Sequence, residues 1–278
     1  MNQFPEILIK ILHYAQKAGD ILMKYYNNGD MQLGLNKKHA GELVTDADLD
    51  SNAFIVSNLN KTFPDIPILS EEGDDNLDRL QSAKLFIVDP LDGTNNFIMG
   101  YDDFSVSIAY TEGMLEKHLP IYGVVYKPIT GESYFAQRKM GSFLMKGDVI
   151  QPLIISKCNK LKNARLVCSA LRKDILTTRL KKAHSLWIGK GSSALMISMI
   201  AEGKAEWYAH VADRYLSEYD VCAADLILSE AGGLVTDLQG KKIYYNKSNV
   251  KLKNGLLASI KPLYDDVCQI ISDNVLID

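Results

Sequence analysis

The chain has 278 residues, of which 47% are hydrophobic and 23% charged, a composition typical of a globular protein large enough for two lobes. Its 31 basic and 34 acidic residues give a net charge of −3, which excludes a nucleic-acid groove based on bulk positive charge. The first residues lack the pattern of a secretory signal, and no apolar run approaches the ~18 residues of a membrane span. We therefore expect a cytoplasmic protein with no transmembrane segment and no nucleic-acid polymer as partner.

Two helices are predicted at the beginning of the chain. Apolar residues recur with helical spacing over residues 5–26, and the sequence NNGD at 27–30 ends this segment. A second helix is predicted over residues 48–61, with its apolar residues turned inward. Because the connection between them is short, we expect the two helices to lie side by side.

The remaining pattern divides near residue 155. Strands are predicted in succession at 85–89, 104–110, 121–127 and 132–137. Beyond residue 150, strands and helices alternate, with strands at 165–170, 205–208, 234–238 and 255–259 and helices reaching about 182 and covering 192–203, 219–232 and 261–273. This order predicts an α+β lobe over residues 1–155 packed against an α/β lobe over residues 156–278.

The most informative segment is VDPLDGTNNF, residues 88–97. A buried strand ends at Asp89, and Asp92 follows three residues later. Gly93 permits a turn that a Cβ would block, and Thr94 opens an apparent helix start. Carboxylates bind hard cations through oxygen, and free amide groups at a helix start accept phosphate. The alternative is a turn without chemistry, because D-x-x-D and D-G are common in turns.

Three other acidic segments accompany this motif. Glu71 and Glu72 follow an apolar run, and two adjacent carboxylates at a strand end repel each other unless a cation or solvent screens them. Asp48 lies at the start of the second helix, where an acidic residue is also ordinary capping. Asp220 precedes a helix rich in small residues, which could pack closely and bring this carboxylate into a site built by the other lobe. The alternative for Glu71 and Glu72 is a solvated loop. The alternative for Asp48 and for Asp220 is a helix cap.

In combination, these segments resemble the inositol monophosphatase superfamily of lithium-sensitive, magnesium-dependent phosphatases. The resemblance rests on E-E at 71–72, D-P-L-D-G-T at 89–94 and the D-x-x-A-A helix from Asp220 to the E-A-G-G sequence, and it covers about residues 40–260. It implies a layered α-β-α-β-α sandwich. The chain departs from the family pattern at Tyr219, where Trp is usual, and at Asp225, where Gly is usual and the acid is an addition to the helix.

The resemblance also assigns roles to individual residues. Two to three Mg²⁺ ions would be bound by four carboxylates and one carbonyl group, those of Glu71, Asp89, Asp92, Asp220 and Leu91. Thr94 would position the attacking water together with Glu71, and Asp48 would lie near that water and a further metal ion. The amide groups of Gly93 and Thr94 would contact the phosphate. Lys37 is a weaker match to the family pattern.

The superfamily includes inositol monophosphatases, fructose-1,6-bisphosphatases and 3′(2′),5′-bisphosphate nucleotidases. Residues 64–72, 123–134 and 191–208 are similar to the bacterial CysQ-type nucleotidases, so we predict hydrolysis of 3′-phosphoadenosine 5′-phosphate to AMP and phosphate. A nucleotide needs a stacking surface and a cation for its second phosphate, and the residues expected to contact it are Ser192, Ser193, Tyr208 and Arg214, with His210 nearby.

Two alternatives to the nucleotidase remain. The chain could be an inositol-1-monophosphatase or another sugar phosphatase, since those enzymes share the same outline. It could also be a non-catalytic regulatory binder with the same fold, although a pseudo-enzyme is expected to lose at least one metal ligand and all four carboxylates are intact. A homodimer is compatible with the sequence.

Overall fold

The computed structural model describes residues 4–37, 43–171, 175–184, 186–210 and 216–275. Its first two helices are α1 (Glu6–Asn28) and α2 (Asp46–Thr62). They pack against each other, as predicted, and also against one face of a sheet. Gly29 ends α1 because its left-handed backbone (φ 79°) lets its N–H bond the carbonyl groups of the last turn.

The described part of the chain contains a seven-stranded sheet whose strands lie in sequence order. Its strands are β3 (Ile68–Ser70), β4 (Lys84–Asp92), β5 (Ser105–Glu112), β6 (Leu119–Lys127), β7 (Glu132–Gln137), β8 (Gly141–Lys146) and β9 (Val149–Pro152). Strands β3 and β4 are parallel, and each later pair is antiparallel. A short ribbon, β1 (Asn36–Lys37) with β2 (Leu43–Val44), precedes α2. The strands predicted at 85–137 are confirmed, whereas β8 and β9 have no counterpart in the sequence prediction.

A five-stranded sheet is formed by the second part of the described chain, in the order β11-β10-β12-β14-β13. These strands are β10 (Leu166–Ser169), β11 (Trp187–Lys190), β12 (Trp207–His210), β13 (Gly233–Thr236) and β14 (Leu256–Ile260). The helices of this part of the chain are α4 (Ile175–Ala183), α5 (Ser193–Ala201), α6 (Glu218–Glu230) and α7 (Tyr264–Val275). The short helix α3 (Thr94–Ile98) follows β4 in the first part. Apart from the unpredicted β11, these elements agree with the sequence prediction to within a few residues.

Five layers result from the packing of these elements. Helices α5 and α6 lie between the two sheets, where α6 packs against strands of both. Helices α4 and α7 contact each other on the outer side of the smaller sheet, opposite the layer of α1 and α2. The order helices, sheet, helices, sheet, helices confirms the expected α-β-α-β-α sandwich. The division into lobes at residues 155 and 156 stays a prediction. No helix in the described ranges is long and apolar enough to cross a membrane.

Close packing of α6 depends on small residues on both sides. A Cβ added to Gly123 of β6 would lie 2.8 Å from the carbonyl oxygen of Ala223, so only glycine allows this approach. The additional acid Asp225 does not disturb it, because its carboxylate accepts hydrogen bonds from Tyr245 at 2.8 Å and Ser229 at 3.0 Å. The helix is therefore seated firmly against the larger sheet, and its first turn has a fixed position.

Candidate metal centre and active site

Parallel pairing brings Glu71 and Asp89 to the same edge of the larger sheet. Ser70 and Val88 are register partners, and the N–H of Glu71 donates to the carbonyl oxygen of Val88 at 3.1 Å. The two acidic residues thus leave neighbouring parallel strands at equivalent positions. Because the carboxyl ends of parallel strands meet at one edge, Glu71 and Asp89 line the same cavity.

A bulge in β4 turns Asp89 and Asp92 toward the same side. Asp89 pairs with Ser107 and Asp92 with Ser105 on β5, so three steps along β4 correspond to two along its partner. Residues three apart in a regular strand would face opposite sides, and the extra residue restores the same side. The proline and leucine between the two aspartates therefore shape the acidic site.

The third aspartate of the site comes from the other sheet's half of the chain. Asp220 is in the first turn of α6, and its Oδ2 accepts the N–H of Ser217 at 2.5 Å. One carboxylate oxygen from each of Asp89, Asp92 and Asp220 lies within 4.8 Å of the others. This hydrogen bond between Ser217 and Asp220 was not predicted, although S-x-x-D before a helix is a capping pattern.

The electrostatics of this cluster fit a cation. Burial, followed by the charges of Glu71 and Asp92, raises the pKa of Asp89 well above its ordinary value, and burial and the neighbouring carboxylates do the same for Asp220. Asp89 Oδ1 accepts the N–H of Leu91 at 3.0 Å, but its buried Oδ2 has no hydrogen-bond partner among the described residues. An unpaired carboxylate oxygen beside two further carboxylates matches the hard oxygen ligands that Mg²⁺ prefers.

The carboxylate of Asp92 is held by the start of α5. Oδ2 accepts the N–H of Ala194 at 2.7 Å and the hydroxyl of Ser192, and Oδ1 accepts the N–H of Ser193 at 3.3 Å. Burial raises the pKa of Asp92 to about 6, although these donors and the helix N-terminus favour its charged form. Ser192 has no exposed surface and also bonds Ser105 at 2.9 Å. The sequence predicts that Ser192 contacts the substrate. The geometry instead favours a role for Ser192 in orienting the carboxylate of Asp92.

Thr94 and Asp48 form a polar pair at the edge of the acidic cluster. Thr94 Oγ1 lies 3.1 Å from Asp48 Oδ1 and 3.1 Å from the carbonyl oxygen of Leu91. The other oxygen of Asp48 accepts from the N–H of Thr45 at 2.8 Å and its hydroxyl at 2.6 Å. Burial raises the pKa of Asp48 to about 6. A single hydroxyl proton can serve only one acceptor, so any cation on the Leu91 carbonyl would direct Thr94 to Asp48.

A cavity of about 200 Å³ joins these residues. All the expected metal-binding and phosphate-binding residues line it, namely Glu71, Asp89, Leu91, Asp92, Gly93, Thr94 and Asp220. Gly93 has φ 98°, and a Cβ there would lie 2.9 Å from the carbonyl oxygen of Asp103, so both conformation and space require glycine. The wall also includes Leu43, Asn95, Gly191 and Tyr219, together with Leu216 and Ser217 from the stretch 209–217, which the sequence predicts as a wall of the leaving-group pocket.

The remaining residues expected at the substrate are distributed differently. Tyr208 is 3% exposed on β12, and its hydroxyl lies 3.2 Å from Nδ1 of His210 and 3.4 Å from Ser193 Oγ. His210 lines the cavity, so Tyr208 supports it from behind. Arg214 lies outside the described residues. Lys37 is exposed on β1, and its part in the site stays a prediction.

A layered two-sheet sandwich with buried carboxylates converging beside a threonine–aspartate pair is the architecture of a metal-dependent phosphatase. The chain belongs to the inositol monophosphatase family, whose family model matches residues 6–272. The predicted family and the predicted class of enzyme, a metal-dependent phosphoric monoester hydrolase, are thereby confirmed.

Individual relatives carry different functional names. The chain is 28% identical over 251 residues to the 3′(2′),5′-bisphosphate nucleotidase CysQ of Haemophilus influenzae, covering 87% of this chain and 88% of the relative. It is 32% identical over 263 residues to the Nus factor SuhB of the same organism, covering 90% and 91%. Its fold is similar to that of a Thermotoga maritima IMPase, with a TM-score of 0.82 and 26% identity over 98% of this chain and 99% of the other.

Proposed function

We propose that this chain is a magnesium-dependent 3′(2′),5′-bisphosphate nucleotidase. The observation that carries the metal-dependent part is the carboxylate of Asp89. Its buried Oδ2 has no hydrogen-bond partner among the described residues, and one of its oxygens lies within 4.8 Å of carboxylate oxygens of Asp92 and Asp220. Glu71, Asp89, Asp92, Asp220 and the Leu91 carbonyl would together hold two to three Mg²⁺ ions. Lithium sensitivity, a cytoplasmic location and a homodimer belong to the same proposal.

The residues of the chain would position the attacking water and the phosphate. Bound Mg²⁺ would supply positive charge to the phosphate and lower the pKa of a water molecule. With its hydroxyl hydrogen bonded to Asp48, Thr94 Oγ1 keeps a lone pair that would accept a hydrogen bond from the attacking water, and Glu71 faces the same cavity. The backbone at Gly93 and Thr94 begins the short helix α3 (Thr94–Ile98) and would donate its amide groups to the phosphate.

The choice of substrate rests on the sequence stretches at 64–72, 123–134 and 191–208 and on the similarity to CysQ. His210 on the cavity wall supports it, because an imidazole ring can stack on a base or donate to a second phosphate. Two alternative functions are each supported by a similarity. Similarity to the Thermotoga IMPase favours an inositol phosphate, and similarity to SuhB favours a regulatory role.

A comparison of two substrates tests this proposal. We expect kcat/KM for 3′-phosphoadenosine 5′-phosphate to exceed that for inositol 1-phosphate by ~10-fold or more, equivalent to about 1.4 kcal/mol of transition-state stabilisation. The measurement is release of inorganic phosphate at saturating Mg²⁺. A preference for inositol 1-phosphate, or equal turnover of both, would assign the chain to the sugar phosphatases. No release from any phosphomonoester would favour the regulatory binder.

Two variants test which residues give this preference, one at His210 on the cavity wall and one at Arg214, which the sequence predicts to contact the nucleotide. His210→Ala and Arg214→Ala should each reduce the advantage of the nucleotide and spare the inositol ester, since each removes a group able to contact the base or second phosphate. His13→Ala is the matched control, because His13 is exposed on α1 and does not line the cavity. If neither His210→Ala nor Arg214→Ala lowers the ratio of kcat/KM for the nucleotide to kcat/KM for inositol 1-phosphate, the base and second phosphate are recognised by other residues.

A further inference from the structure

Glu218 is a buried carboxylate at the beginning of the helix that carries Asp220. It has no exposed surface, and its two oxygens are held separately, Oε2 by the N–H of Asn246 at 2.8 Å and Oε1 by the N–H of Lys247 at 2.9 Å. Side chains two positions apart on a helix point in nearly opposite directions. Glu218 therefore anchors the side of the first turn of α6 opposite to Asp220, whose carboxylate joins the acidic cluster.

The two N–H groups that hold Glu218 are themselves oriented by Arg79. Asn246 has a left-handed backbone (φ 65°), which brings consecutive N–H groups to one acceptor. Nη1 of Arg79 donates to Asn246 Oδ1 at 2.7 Å, and Nη2 donates to the carbonyl oxygen of Lys247 at 2.9 Å. The side chain of Asn246 in turn donates to the carbonyl oxygen of Arg79 at 3.2 Å. The guanidinium thus fixes the turn around its planar fork.

Arg79 connects this turn to the loop that follows Glu71. The Arg79 side chain is 3% exposed and forms a bidentate pair with Asp75, through Nε at 3.0 Å and Nη2 at 2.7 Å. Asp75 lies four residues beyond Glu71. A continuous set of hydrogen bonds therefore links the loop after Glu71 to the first turn of α6, and so joins the two cavity carboxylates that do not come from β4. We call Asp75, Arg79, Asn246, Lys247 and Glu218 the Glu218 clasp.

The acidic cluster needs support, because its carboxylates repel one another. One carboxylate oxygen from each of Asp89, Asp92 and Asp220 lies within 4.8 Å of the others, and negative charges this close repel, which tends to separate the strand from the helix. We propose that the Glu218 clasp is a positioning device that holds Asp220 at metal-binding distance from Asp89 and Asp92. This inference rests on the metal site of the proposed function.

A role in fold stability alone is the alternative, and a second buried carboxylate provides a matched control. Glu206 is 2% exposed and accepts hydrogen bonds from the backbone N–H and the guanidinium of Arg165. It does not line the cavity. Glu206→Gln and Glu218→Gln make the same chemical change, since each amide must turn an NH₂ toward a hydrogen-bond donor. Only the second change lies two residues from Asp220.

The test measures Mn²⁺ binding to the metal-free protein by electron paramagnetic resonance, at a temperature where circular dichroism shows every variant folded. Mn²⁺ prefers the same oxygen ligands as Mg²⁺. Glu218→Gln is expected to weaken Mn²⁺ binding by ~10-fold to 100-fold, the usual effect of removing a partner that orients a metal ligand. Glu206→Gln is expected to bind Mn²⁺ like the parent. In the phosphatase assay, Glu218→Gln should require ~10-fold more Mg²⁺ yet regain most of its kcat at saturation.

Each outcome decides the inference. Parental Mn²⁺ affinity in folded Glu218→Gln, or equal weakening in both glutamine variants, overturns it. If Glu218→Gln does not fold, Arg79→Lys decides, because lysine keeps the charge beside Asp75 but its three N–H donors on one nitrogen cannot serve the four acceptors that the guanidinium bonds. Weakened Mn²⁺ binding in folded Arg79→Lys supports the clasp, and parental affinity overturns it. Absence of Mn²⁺ binding in the parent would instead contradict the metal site itself.

Discussion

Replacing Asp89 with Asn is expected to lower turnover by at least ~10²-fold without loss of the fold. The substitution preserves volume but removes the charge from the carboxylate whose Oδ2 is buried without a partner among the described residues. Transition-state stabilisation by the bound cation would fall with it. The metal-free protein should become more stable, because burial and the charges of Glu71 and Asp92 make the charged form of Asp89 unfavourable. We expect the Tm of the metal-free variant to lie above that of the metal-free parent.

The matched control for this substitution is Asp225→Asn. Asp225 is an aspartate of α6 whose oxygens are bonded by Tyr245 and Ser229, and it does not line the cavity. Its replacement should leave kcat within ~3-fold of the parent, because every carboxylate that lines the cavity is kept. Phosphate release and thermal unfolding in the absence of metal measure turnover and stability in both variants. Near-normal turnover of Asp89→Asn would show that this carboxylate is not part of the catalytic centre.

Chelation of divalent cations is expected to remove activity completely. Without a cation, the carboxylates that line the cavity repel one another and a phosphate ester, so substrate and cluster cannot occupy it together. Mg²⁺ added in excess over the chelator should restore full turnover. Ca²⁺ should bind and inhibit, because its looser and larger coordination sphere aligns ligands less strictly. Phosphate release measured with EDTA, then Mg²⁺, then Ca²⁺ tests this series. Full turnover in excess EDTA would rule out a metal-dependent reaction.

Local patterns located the acidic residues because each one lies at or close to an end of a secondary-structure element, with Asp89 at the bulge three residues before the end of β4. Asp89 follows a short apolar run that reads as a buried strand, and Asp220 precedes a helix whose small residues are visible in the sequence. The same local patterns predicted the helices that enclose the larger sheet and those between the sheets. The site could be predicted because it forms where the ends of strands and the beginnings of helices come together, and such ends have local signals in the sequence.

Hydrogen-bond partners distant in the chain could not be predicted in this way. The sequence of Ser192 and Ser193 suggested substrate contacts, yet their hydroxyl and N–H groups are occupied by Asp92, about a hundred residues earlier. In the sequence, Asp225 is an additional charge on a packed helix. Its hydrogen bond from the Tyr245 hydroxyl joins residues twenty positions apart and has no local signal. No spacing in the sequence connects Arg79 with Asn246 either, because such contacts are set by the tertiary fold.

Three of the strands that the sequence did not predict lie at or next to a sheet edge: β11, β9 and β8, which pairs with β9. Strand β11 is the outermost strand of the smaller sheet and β9 that of the larger sheet, and Trp187 and Val149 on them are largely exposed. An edge strand buries little apolar surface, so its sequence carries a weak hydrophobic alternation. The hairpin between β8 and β9 has a local signal that could have revealed it, since Gly147 at the turn has a left-handed backbone (φ 56°) and is followed by Asp148.

The most direct test of the metal site is anomalous X-ray diffraction from crystals of the protein grown or soaked with Mn²⁺. The account predicts Mn²⁺ peaks in the cavity, with the first within about 2.2 Å of carboxylate oxygens of Asp89 and Asp92 and one in reach of Asp220. Crystals of Asp89→Asn should show these peaks weakened or absent. Anomalous density confined to other surfaces of the parent protein, at saturating Mn²⁺, would contradict the assignment of these aspartates as metal ligands.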